Sequence, residues 1–87
     1  MKDFIEAYAD SSETPLLTAD GFDAAILGVA EGCSRPSVVI YDYDKCVAIL
    51  MERYGMDEEE ADEFMQFNVV GAYLGEHTPM FLRRPAQ

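Results

Sequence analysis

The junction Tyr54-Gly55-Met56-Asp57 constrains this chain more than any other stretch, because it sets a helix stop and a helix start two residues apart. Glycine at 55 can take the left-handed conformation that ends a helix with no penalty from a Cβ. Asp57 and Glu60 have the spacing of a capping box, in which two backbone donors at a helix start are satisfied reciprocally. Glu58 and Glu59 add negative charge where the helix dipole favours it. Upstream, Cys46, Val47, Leu50, Met51 and Tyr54 recur at helical spacing, which predicts a helix opened by Asp44 as N-cap and closed at Gly55, with Arg53 near its negative end. Downstream, the stripe Ala61, Phe64, Met65, Asn68, Val69 and Ala72 predicts a second helix ending near Gly75. Asn68 is the odd member, since a buried amide is costly without partners; the spacing places it in a backbone network or at an interface. Two helices linked this tightly must fold back on one another as a hairpin.

The flanking segments read differently. Residues 24–30 and 37–41 are short apolar runs separated by Glu31-Gly32-Cys33-Ser34-Arg35-Pro36, which suits two buried strands joined by a turn. The first run also suits a helix, because alanine and leucine favour one and so short a stretch has no decisive period. Glu76-His77-Thr78-Pro79 breaks the second helix, and Met80-Phe81-Leu82 reads as a closing strand. In residues 1–20, Phe4, Ile5 and Tyr8 line one face of a short helix that Ser11, Ser12, Thr14 and Pro15 interrupt, so this segment is expected at the periphery. The prediction is an α+β fold of order β-β-α-α-β, a small sheet covered on one face by the helical hairpin. The 87 residues form one domain: a peripheral segment over 1–20, a core over 21–82 and an exposed tail over 83–87.

Seventeen carboxylates against six lysines and arginines give a formal net charge of −11. Such a chain repels nucleic-acid phosphates and anionic membrane surfaces, so direct binding to either is not expected. The charge favours a basic partner, including a groove on another protein that normally holds nucleic acid. It also serves solubility without any partner. Every uncharged run falls well short of the roughly 20 residues that span a bilayer, and no basic segment followed by an apolar stretch opens the chain, so the expected location is the cytoplasm. Cys33 and Cys46 are too few and too far apart for a disulfide framework or a zinc ligand set, which predicts reduced thiols. Sheet edges would allow a homodimer.

Three residues are candidates for catalysis. Cys33 sits in a turn beside Arg35, and a guanidinium next to a thiol favours the nucleophilic thiolate. A nucleophile needs an oriented base, and His77, preceded by Glu76, is the sole histidine; Asp42 is a third candidate. A turn cysteine and a surface or capping histidine explain the same residues without chemistry. Cys46 lies on the apolar face of its helix and reads as core. Asp42 and Asp44 could pair as metal ligands or as acid and base, but one capping aspartate and one solvated aspartate account for both, and no calcium-binding loop follows. The acidic run from Asp57 reads as a helix start before it reads as a metal cluster. Gly28, Gly32, Gly71 and Gly75 lack the spacings that cradle phosphates, so no cofactor or metal is implied. The residues expected to meet a partner are Asp57, Glu58, Glu59, Asp62 and Glu63, carboxylates on one helix surface.

Several spaced blocks carry a family resemblance. They are Asp20-Gly21-Phe22-Asp23, Tyr41-Asp42-Tyr43-Asp44-Lys45-Cys46, Ile49-Leu50-Met51-Glu52-Arg53, Gly55-Met56, Glu59-Glu60-Ala61, Phe67-Asn68-Val69-Val70-Gly71-Ala72 and Gly75-Glu76-His77-Thr78-Pro79. Over about residues 20–82 the chain resembles a family of small, acidic, uncharacterised proteins encoded by bacteriophages. The resemblance implies a product of the host cytoplasm that binds a host or phage protein, and it carries no catalytic or binding residue with it. Small acidic phage proteins include inhibitors of bacterial defence nucleases, among them anti-CRISPR proteins, some of which occupy a basic groove as DNA mimics. On this reading the chain is a non-enzymatic binding module. The alternatives are a small enzyme with Cys33 as nucleophile and a homo-oligomeric structural or assembly protein.

Overall fold

The protein's structure, a computed structural model, describes residues 2–13 and 15–85; Met1, Thr14, Ala86 and Gln87 lie outside the described residues. In chain order the elements are α1 (Lys2–Ser12), a single 3-10 turn (Asp23–Ala25), β1 (Ile26–Gly32), β2 (Arg35–Asp42), α2 (Tyr43–Tyr54), α3 (Glu58–Phe64), a π-helical continuation (Met65–Val70) and β3 (Met80–Leu82). The run 24–30, open to two readings in sequence, is divided: the helical tendency of Ala24 and Ala25 is spent in the 3-10 turn, and the strand starts at Ile26.

β1 and β2 pair antiparallel around the Cys33-Ser34 turn, and β3 adds parallel to the far side of β2, so the sheet order is β1-β2-β3. The helical hairpin forms the connection between the two parallel strands, which a short loop could not make. Between Ile26 and Gly28 the β1–β2 register shifts, with Leu27 as the extra residue of a bulge. Alternation along β2 sends Val39 and Tyr41 into the core with Ile26 from β1, Cys46 and Leu50 from α2, and Ala61 and Met65 from the helix after Gly55. Tyr41 stacks on Phe81 of β3 at 5.4 Å between ring centroids, and its hydroxyl accepts the Ala19 N–H at 2.7 Å. Burial pushes the Tyr41 pKa up, the backbone bond from Ala19 opposes that shift, and the charge of Asp23 adds to it. On the other face of the sheet Met80 and Leu82 are exposed, whereas Val38 and Asp42 are buried.

The helix punctuation follows the sequence at Gly55 and Asp57 and departs from it elsewhere. Gly55 caps α2 at φ 66°, and Asp57 with Glu60 forms the full capping box. At the start of α2 the cap is Asp42, which accepts the Lys45 N–H at 3.3 Å, where Asp44 was expected. Both aspartates precede the same apolar stripe, and sequence spacing does not separate them. The second helix was expected to run to about Gly75. It stays α-helical only to Phe64, continues as π-helix to Val70 and closes where Gly71 donates to the Gln66 carbonyl at 3.1 Å. A Cβ on residue 71 would lie 2.7 Å from that oxygen, so this closure needs glycine. Phe64 is exposed at the end of the regular helix, and within the widened turns that follow Asn68 is exposed too, instead of facing the core. The amide expected in a backbone network or at an interface is therefore at the surface.

The segment expected at the periphery is helical through Ser11 and Ser12, where an interruption was predicted. Ile5 is buried in the main core, and the Tyr8 hydroxyl donates to Glu31 and meets Ser37 Oγ at 3.1 Å, which ties α1 to the hairpin strands. No helix among the described residues is long and apolar enough to cross a membrane.

Candidate functional site

A groove of about 650 Å³ opens between α2 and α3 on the side turned away from the core. Helical spacing builds both walls. On α2, residues 43, 46 and 50 face inward and are buried, which turns Asp44, Val47, Ala48 and Met51 toward the groove. On α3, Ala61 faces inward, which turns Glu58, Glu59 and Asp62 to the same opening. The lining thus holds four carboxylates around an apolar strip, with Arg83 as its one cation.

Tyr43 forms the floor. Its hydroxyl donates to the Asp62 carboxylate and accepts from Gln66 Nε2 at 3.1 Å. Burial, with the Asp62 hydrogen bond second, pushes the Tyr43 pKa up, so the phenol stays protonated and keeps donating. The Arg83 guanidinium lies over the ring, 4.2 Å from its centroid. One residue further on, Arg84 pairs with Asp42 at 2.9 Å. Asp42, buried at the β2–α2 junction, thus caps α2 through Oδ1 and binds Arg84 through Oδ2. In the tail expected to be exposed, Arg83 and Arg84 are exposed, and each also has a partner.

Helix geometry divides the five carboxylates assigned to a partner. Glu58, Glu59 and Asp62 line the groove. Asp57 accepts the Glu60 N–H at 2.8 Å within the capping box. Glu63 sits on the opposite flank of α3, beside Met56, Glu60, Phe64, Phe67 and Asn68. Two charged groove residues were missed. Asp44 was read as a cap, although its spacing with Val47, Ala48 and Met51 marks one helical stripe. Arg83 carries no local signal, because the parallel pairing of β3 brings it to Tyr43.

Among the described residues no hydrogen bond joins the catalytic candidates to one another. Cys33 is exposed in the turn with Ser34 Oγ at 3.9 Å, and His77 Nδ1 is engaged with the Ser37 carbonyl at 2.9 Å. The hydrogen bonds of these two residues run to different serines and not to each other. Asp42 is committed to its cap and its ion pair. Cys46 is fully buried; burial and the charge of Asp42 push its pKa up to about 12, so it is a protonated core thiol at neutral pH. Among the described residues no group of three or more His, Cys, Asp or Glu side chains could hold a metal ion.

Fold and site together define a small α+β domain whose helical hairpin covers one face of a three-stranded mixed sheet and carries a carboxylate-rimmed groove. Comparison with protein-family models, with curated proteins and with solved structures finds no match for this chain.

Proposed function

We propose that this chain is a non-enzymatic binding module that uses the acidic groove to engage a basic surface on another protein. The target class is a host nucleic-acid-processing or defence complex, whose basic groove the module would occupy in place of nucleic acid. The observation that carries this reading is the groove lining, with Asp44, Glu58, Glu59 and Asp62 set around the apolar strip of Val47, Ala48 and Met51. Carboxylates spaced along the groove walls present the charge that a phosphate-binding surface is built to receive, and the apolar strip gives it shape. The net charge of −11 and the resemblance to phage proteins support the same class of partner.

The test is capture of a basic protein from bacterial lysate, followed by affinity measurement over a range of salt. Affinity should fall steeply as salt rises, and nucleic acid should compete for the captured protein. Charge reversal at Glu58 and Glu59 together should remove binding, by about 2 kcal/mol or more, whereas reversal at Glu63 on the opposite flank should leave most of it. Binding that ignores salt, or that is lost equally at Glu63, would count against the groove. A second reading, self-association, has its own observation: Phe67 and Tyr73 are 80% and 78% exposed. A dimeric mass in dilute solution that Phe67→Ser reduces to monomer would favour it.

A further inference from the structure

The groove already holds one cationic side chain, and it belongs to the chain itself. We propose that the face of Tyr43 is an arginine seat, filled in the free protein by Arg83, and that the partner enters as an arginine-bearing amphipathic segment whose guanidinium replaces Arg83. The inference rests on the reading of the groove as a partner-binding surface and specifies what that surface recognises.

Four observations lead to it. Arg83 Cζ stands 4.2 Å from the Tyr43 centroid, well within the about 6 Å over which a ring face attracts a cation. The ring beneath is buried but the Arg83 side chain over it is exposed, and a contact of an exposed guanidinium favours the seated state by only about two- to fivefold, so an incoming side chain can displace it. Arg83 follows the last residue of β3, Leu82, and therefore lies outside the strand pairing; the Arg84–Asp42 pair holds the next residue in place. The seated guanidinium can leave without unpairing the sheet or releasing the tail. Finally, Arg83 offsets one of the four groove carboxylates, so an attractive field remains for further cations.

The chemistry favours arginine over lysine. A guanidinium is flat, stacks on the ring and forks toward carboxylates, whereas an ammonium is a compact, strongly hydrated point charge. Asp62 accepts the Tyr43 hydroxyl through Oδ1 beside the seat, and Asp44, Glu58 and Glu59 line the way to it. Val47, Ala48 and Met51 supply an apolar strip for the stem of an arginine or for a leucine beside it. Hence the occupant carries arginines on one side and apolar side chains on the other.

The experiment titrates the full chain with a synthetic amphipathic peptide bearing arginines on one face and leucines on the other, and with the same peptide carrying lysines. Three proteins are compared: wild type, Arg83→Ala, and Arg35→Ala, which removes the same charge at the opposite end of β2. Circular dichroism checks that each variant folds. The arginine peptide should bind wild type more tightly than the lysine peptide, and Arg83→Ala should tighten it by about threefold beyond the effect of Arg35→Ala. In wild type the Arg83 Nε–Hε resonance should move as the peptide is added. An affinity that Arg83→Ala leaves unchanged, weakens, or raises no more than Arg35→Ala does would overturn the seat, as would equal binding of the lysine peptide. If wild type binds neither peptide, the groove reading falls with it; if it binds with the Arg83 signal unmoved, the seat alone falls.

Discussion

The helix after Gly55 has two halves that share an axis and little else. Glu58–Phe64 is regular α-helix, opened by a capping box and rich in carboxylates that face the groove. Met65–Val70 is π-helix without a charged residue, and it sets a fully buried Met65 two positions from an 80% exposed Phe67. The acidic half puts charge into the groove and contributes Ala61 to the core. The apolar half anchors the rod through Met65 and leaves an aromatic at the surface. The contrast teaches that residue type alone does not mark the face that works. Charge clusters where water or a partner can meet it, whereas the widened π turns decide which apolar residues are covered.

The largest test of that contrast lies inside the π segment. Met65→Ala should cost about 3 kcal/mol in urea denaturation, because it opens a cavity at a buried site. Phe67→Ala should change stability by less than about 0.5 kcal/mol. Comparable losses at the two positions would mean that Phe67 is packed and the contrast is false. Next comes the turn that ends the segment. Gly71→Ala should lose about 2 kcal/mol, since the new methyl meets the Gln66 carbonyl oxygen. A gain, the usual result of replacing glycine within an ordinary helix, would remove the π closure from the account.

In the acidic half the effects are smaller. Asp57→Ala should cost about 1 kcal/mol by leaving the Glu60 N–H without its cap. The smallest effect is a pH dependence at Tyr43. A phenol whose pKa is raised by folding contributes stability that is full below its unfolded value near 10 and is lost as pH rises through the folded value. The difference in urea midpoint between wild type and Tyr43→Phe should therefore hold up to about pH 10 and shrink as pH rises above it. Comparing the two proteins isolates Tyr43, because burial raises the Tyr41 and Cys46 pKa values in both. A constant difference would show that the Tyr43–Asp62 bond adds nothing to the groove wall.

Much of the fold was legible from short-range chemistry. The β-β-α-α-β order, the hairpin and the cover on one face of the sheet are as the sequence predicts, and α1 adds a third helix at the N-terminus. The candidate site was legible only in part. Glu58, Glu59 and Asp62 share a helix face that periodicity reveals, whereas Asp57 and Glu63 belong to the same acidic run and turn elsewhere.

What the sequence by itself determined are the features set within one or two helical turns. Gly55 as stop and Asp57 with Glu60 as start depend on backbone conformation and on donors three residues away, and both are complete in the local chain. Tertiary structure decided everything that needed a partner from a distant segment. It gave Asp42, whose Oδ1 caps α2, the additional task of binding Arg84 through Oδ2. It exposed Asn68, because a π turn shifts the helical phase that a regular period assumes. It also laid Arg83 over Tyr43, a contact between residues forty positions apart that only the parallel return of β3 beside β2 creates.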